Sequence, residues 1–130
     1  MIGRFVQRPR SVRYQPPAAR LHGFLEEGGA SVVRSAHLGL SGRIWTVPYA
    51  VTAALVREVA AAECEAVFVS CTNLPTYDVI APLEAELGIP VLTANQVTMW
   101  ACLRRMGSAA VGPGQSLLGS DSPVQQRGSA

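Results

Sequence analysis

The chain has 130 residues, 48% of them hydrophobic and 15% charged, with a formal net charge of +2. That length supplies one hydrophobic core and not two, and no apolar run reaches the ~20 residues of a membrane-spanning helix. Three cysteines, an odd number without paired spacing, argue against a disulfide framework and for a reducing compartment, the cytoplasm. His22 and His37 fall on separate predicted elements and there is no Cys-x-x-Cys, so no metal site is expected.

The charge is unevenly placed. Arg4, Arg8, Arg10, Arg13 and Arg20 stand among the first 20 residues without an acid, whereas the remainder sets six arginines against nine acids. Residues 1–17 read as a poorly ordered Arg/Pro-rich leader, because Phe5-Val6 is too short for a firm strand and Pro9, Pro16 and Pro17 interrupt anything longer. The leader lacks the aromatic interleaving of a nucleic-acid arm and the apolar core of a secretory signal. Neither nucleic acid nor membrane is expected as a partner.

A helix is predicted over 18–27, with Leu21, Phe24 and Leu25 on one face and Gly28-Gly29 ending it. Residues 30–36 read as a strand, and 37–46 as a Gly/Ser-containing loop. Val47-Pro48 opens the next helix, whose stripe is Val51, Leu55, Val59 and Ala62, with Thr52, Arg57 and Glu58 off it. Ala66 to Val69 is a short buried strand, and it delivers Ser70-Cys71-Thr72-Asn73 to its carboxyl end. A segment over 77–87 turns Ile80, Leu83 and Leu87 inward, with Thr76 as its N-cap. Pro82 opposes a regular helix there, so a bent helix or a start delayed to Ala81 is expected. Gly88 closes it, residues 89–93 form another strand, and a last helix runs over 95–106 with Met99, Cys102, Leu103 and Met106 as a core stripe. Residues 108–130, rich in Gly, Ser, Pro and Gln, read as a flexible tail in which Leu117-Leu118 can dock.

Helices alternating with short strands predict an α/β fold: a small parallel sheet of three to four strands flanked by helices, spanning 18–107. In such sheets the carboxyl edge is where ligands bind. Cys71 at a strand exit is expected to feel the positive end of the following helix, which favours thiolate. The plainer reading of Cys71 is a small buried hydrophobe. Other thiol and phosphate chemistries are excluded by their spacing. A phosphatase loop needs an arginine where Tyr77 stands, and a thioredoxin site needs a cysteine where Leu74 stands. No Gly-x-Gly-x-x-Gly or Walker loop is present, and the chain has no lysine for Schiff-base chemistry.

The run Ala66-Val-Phe-Val-Ser-Cys-Thr-Asn-Leu-Pro-Thr-Tyr-Asp-Val-Ile80, followed by Leu83-Glu-Ala-Glu-Leu-Gly-Ile-Pro-Val-Leu-Thr-Ala-Asn-Gln96 and Trp100, resembles the carboxyl-terminal half of maleate cis-trans isomerases. These group with arylmalonate decarboxylases in the aspartate/glutamate racemase superfamily. The resemblance runs from about Leu21 to Gly107, and Gly112 to Leu118 loosely resembles the family's short carboxyl end. It implies one domain of a two-domain fold, no cofactor and a small dicarboxylate substrate held in a cleft between two facing domains. Cys71 matches the second-domain cysteine, which exchanges a proton with substrate carbon in the isomerases and protonates an enediolate in the decarboxylases. Backbone N–H groups at Cys71, Thr72 and Asn73 would hold a carboxylate. Ser41 lies near a substrate-binding position of the family, and Tyr14 could stand in for a tyrosine that reaches the substrate. The family's first domain has no counterpart in this sequence, so the resemblance implies a half enzyme. A homodimer pairing two Cys71 thiols, or a first domain supplied separately, would complete it. The rival reading is a non-catalytic binding module of the same fold.

Overall fold

The computed structural model describes residues 2–5, 16–60 and 64–119. Four strands make one sheet: β1 (Ile2–Phe5), β2 (Val32–Ala36), β3 (Ala66–Val69) and β4 (Val91–Thr93), in the order β2-β1-β3-β4. Around them lie α1 (Pro16–Glu27), α2 (Tyr49–Val59), α3 (Tyr77–Leu87), α4 (Ala94–Arg105) and the short α5 (Ser116–Gly119). β3 and β4 pair in parallel, and β1 is antiparallel to both β2 and β3. β2, β3 and β4 therefore share one direction, which makes this the expected α/β architecture with one reversed strand inside it. That strand comes from the leader, at Ile2–Phe5, where no strand was expected. Four residues containing Gly3 and Arg4 carry no alternation that could announce it. The rest of the leader, 6–15, lies outside the described residues.

The core forms where strand alternation meets the helices. Val67 and Val69 of β3 and Val91 of β4 are buried, while Ala66, Phe68 and Leu92, pointing the other way, are only half-buried. Ala53, Val56 and Val59 from α2 and Leu83 from α3 close over the buried row. Each of these valines and Leu83 contributes roughly 1.5–3 kcal/mol by leaving water, and the single methyl of Ala53 less.

Several predicted faces are corrected. On α2 the buried residues are Thr52, Ala53, Val56 and Val59, so the inward face is rotated about one residue from the expected stripe and Val51 is exposed. Thr52, at 0% exposure, was expected on the solvent side. On α1, Phe24 is exposed and His22 is buried instead. On α4 the core stripe does not exist: Met99 is 57% and Met106 75% exposed, Cys102 is exposed, and Gln96 is the helix's buried residue.

The helix over 77–87 starts at Tyr77 and runs through Pro82 without the delayed start. Asp78 and Pro82 are both exposed, so the carbonyl that Pro82 cannot serve faces water. Thr76 sits at the N-cap position, yet its side chain makes no capping bond. The capping box belongs to Thr93, whose hydroxyl accepts from Gln96 N while the Gln96 side chain accepts from Thr93 N. Gly88 ends α3 in the left-handed region (φ 69°), where its N–H bonds Glu84 O at 2.9 Å.

The tail is docked over 108–119. The Glu84 carboxylate, buried in α3, accepts from Val91 N (2.8 Å), Ser116 N (2.7 Å) and Ser116 Oγ (2.6 Å). Gln96 Nε2 donates to Gln115 Oε1 at 2.8 Å. These polar pairs hold the segment, and Leu118 lines a cleft beside it; residues 120–130 lie outside the described ones. Among the described residues no helix is long and apolar enough to cross a membrane.

Candidate active site

Strand direction gathers three chain exits at one edge. Ile2 pairs with both Ala36 and Val69, and Val69 pairs with Thr93, so the ends of β2, β3 and β4 stand in one row. The loops after β2 and β3, beginning at His37 and Ser70, and the start of α4 at Ala94 leave from the edge where α/β sheets bind ligands.

Cys71 lies just past the end of β3. It is half-buried and packs against the rim of the hydrophobic core. The helix-start environment expected for it is not what the chain builds. Residues 72–74 turn first, with Leu74 N donating to Cys71 O at 3.4 Å, and α3 begins only at Tyr77. Thr72 and Asn73 are exposed on this turn. A residue that the sequence reading assigned only to a helix start joins them: Asn95, in the first turn of α4, donates from Nδ2 to Thr72 O at 2.9 Å. Ser41 is exposed on the loop after β2, and Tyr14 lies outside the described residues.

Beside this loop opens a cleft of about 450 Å³ between the starts of α2 and α3, α4 and the docked tail. Leu74, Thr76 and Tyr77 form one wall, and Met99, Leu103 and Leu118 form another. The apolar stripe of α4 thus faces the cleft and solvent, which explains why its periodicity did not mean core. Among the described residues no charged side chain lines the cleft, and Cys71 is not among its walls. Asn95 is, so the residue that holds the Cys71 loop also borders the cavity. At the mouth, Tyr49 hydrogen-bonds Asp78, and that bond, with smaller contributions from burial and the Asp78 charge, raises the Tyr49 pKa above its usual 10.0. Among the described residues no group of three or more His, Cys, Asp or Glu side chains could hold a metal ion. The loop after β3 thus presents one thiol and exposed backbone to whatever approaches the carboxyl edge.

The same architecture recurs in solved structures. Arylmalonate decarboxylase is 28% identical with a TM-score of 0.72, over 79% of this chain and 48% of that chain. Its unliganded form matches at 28% identity and TM-score 0.71, over 79% and 47%. A glycine-to-cysteine mutant of arylmalonate decarboxylase in the sulfate ion associated form matches at 27% and 0.72, over 78% and 46%. The chain spans about half the length of these structures. No curated protein matches it in sequence. Fold and strand-exit loop together define an α/β domain of the aspartate/glutamate racemase superfamily. The arylmalonate decarboxylase family profile matches residues 13–118, and the chain belongs to that family.

Proposed function

We propose that this chain carries the proton-transfer half of a cofactor-independent site of the decarboxylase and racemase type, acting on a small dicarboxylate. The observation that carries the reading is a free, half-buried thiol at the carboxyl edge of β3 in a domain of this family. A substituted malonate loses one carboxyl group as CO2, and the electron pair of the broken C–C bond stays on the remaining half as an enediolate. The Cys71 thiol donates its proton to that carbon, and the thiolate regains a proton from water. The N–H groups of Cys71, Thr72 and Asn73 stabilise the negative oxygens, as backbone donors do for developing oxyanions. Ser41 and Tyr14 are the further substrate contacts. A relative's sulfate-associated form fits a fold that receives anions. A second unit, either another copy of the chain or a separate domain, completes the cleft. A free catalytic thiol suits the reducing cytoplasm.

Maleate isomerisation is the second reading, favoured by the Ser70-Cys71-Thr72-Asn73 block. There one thiolate adds to the double bond, the single bond rotates, and elimination yields fumarate. That scheme needs a second thiol facing Cys71. A test of both incubates the chain with methyl(phenyl)malonate or with maleate and follows products by proton NMR, beside Cys71→Ala. The reading expects product from one substrate and none from the variant. Equal rates with and without the thiol sink it.

A further inference from the structure

If Cys71 is the proton donor, the backbone donors next to it must point at the substrate, and a peptide's two polar groups cannot be aimed independently. In a trans peptide the C=O and the N–H point in opposite directions, and no peptide bond among the described residues is cis. The Cys71 carbonyl is engaged by Leu74 N at 3.4 Å, which turns the Thr72 N–H the other way. The Thr72 carbonyl is engaged by Asn95 Nδ2 at 2.9 Å, which turns the Asn73 N–H away from α4. A flip of the Thr72–Asn73 peptide would exchange donor for acceptor at the substrate side and would break the Asn95 bond.

We infer that Asn95 is a positioning residue: it locks the Thr72–Asn73 peptide plane so that the Asn73 N–H remains a donor for a substrate carboxylate. The inference rests on the Cys71 loop being the substrate site. Asn95 can act as a fixed post because its own turn is held from three sides. Thr93 is in register with Val69, the Thr93–Gln96 capping box closes the start of α4, and Gln96 is tied to Gln115 in the docked tail. Asparagine is also short, with few rotamers to lose when it bonds. One exposed amide–carbonyl bond of this kind biases a flip equilibrium by about three- to tenfold.

The test uses the full chain with Asn95→Ala, which removes the donor, and Asn95→Gln, which keeps an amide. Hydrogen exchange is followed in the peptide covering residues 70–76, malonate affinity by NMR titration, and the urea midpoint as a control. Asn95→Ala should speed exchange at 71–74 about three- to tenfold and weaken malonate binding by a similar factor, at an unchanged midpoint. Asn95→Gln should restore part of both. If malonate binds wild type and Asn95→Ala alike and exchange in the loop is unchanged, the lock is overturned while the Cys71 reading stands. If wild type does not bind malonate but Asn95→Ala still loosens the loop, the lock stands and the substrate reading fails.

Discussion

Replacing Glu84 by Gln tests whether the docked tail is part of the fold or an ornament on it. The side chain is 9% exposed and takes three donors on two oxygens: Val91 N and Ser116 Oγ on Oε1, Ser116 N on Oε2. A glutamine has the same shape but one acceptor fewer. If its NH2 takes the Oε2 position, it faces the Ser116 N–H, donor against donor. If it takes the Oε1 position, the Ser116 hydroxyl can rotate to accept, but Val91 N is left without a partner. Either way one backbone donor is stranded, and the surviving bonds go from a charged to a neutral acceptor. Bonds to charged groups are worth about 1.5–3 kcal/mol and neutral ones about 0.5–1.5. One loss plus two downgrades comes to about 3–5 kcal/mol, and the partial exposure of the Ser116 pair reduces this to about 2–3. Urea unfolding of the full chain, followed by Trp45 and Trp100 fluorescence, measures it. A cycle with Ser116→Ala should show coupling between the two sites. A Glu84→Gln variant within about 0.5 kcal/mol of wild type, the range of an ordinary surface substitution, would refute the reasoning.

Thr52 is fully buried and its Oγ1 has no hydrogen-bond partner among the described residues, so the isosteric Thr52→Val should stabilise by about 1 kcal/mol, read as a higher urea midpoint. Leu83, 1% exposed, should cost about 2–5 kcal/mol as Ala, whereas Met99→Gln on the cleft face should change stability by less than about 0.5. A large loss at Met99 would restore α4 to the core. Burial lowers the His22 pKa below 6.5, with Glu26 opposing and His37 reinforcing the shift. The unfolded chain then takes up the proton first, so the His22 contribution is fully present above pH 6.5 and is lost as pH falls from 6.5 to the folded value. His22→Phe should flatten that part of the stability–pH curve, and an unchanged slope counts against it. In the middle of α3, Pro82→Ala restores a helical N–H on an exposed surface and should stabilise by about 1 kcal/mol or more, read as a higher urea midpoint.

What could be read from the letters was whatever depends on neighbours along the chain. β3 at Ala66–Val69 was legible to the residue, because a short apolar run is a local signal, and α3 was legible as a segment closed by Gly88, although its start at Tyr77 and its unbroken course through Pro82 were not. Periodicity says that a helix has two unlike sides and not what the apolar side meets. That is why the α4 stripe proved to border a cleft and why the α2 face was misplaced toward Val51. Thr76 and Thr93 both look like caps, and only the second has a glutamine three residues on to close the box. The ties Glu84–Ser116 and Gln96–Gln115 join polar residues 32 and 19 positions apart, a separation at which no pattern warns of a contact. Cys71 was singled out as a candidate from its strand exit, but the Asn95 tie to its loop was not foreseen, since the partner of Asn95 is a backbone carbonyl and carries no residue type to recognise.

The three thiols are not equally shielded. Cys64 and Cys71 are half-covered, Cys64 with its Sγ 3.7 Å from Ala60 O, while Cys102 stands open on α4. Air will therefore reach Cys102 first, and two molecules in an aged sample will become joined there by a covalent bridge. On a sizing column such an artefact passes for a native pair. Work on how copies assemble should start from Cys102→Ser or from fresh reductant, so that a dimer surviving either treatment is one the folded surface itself has made.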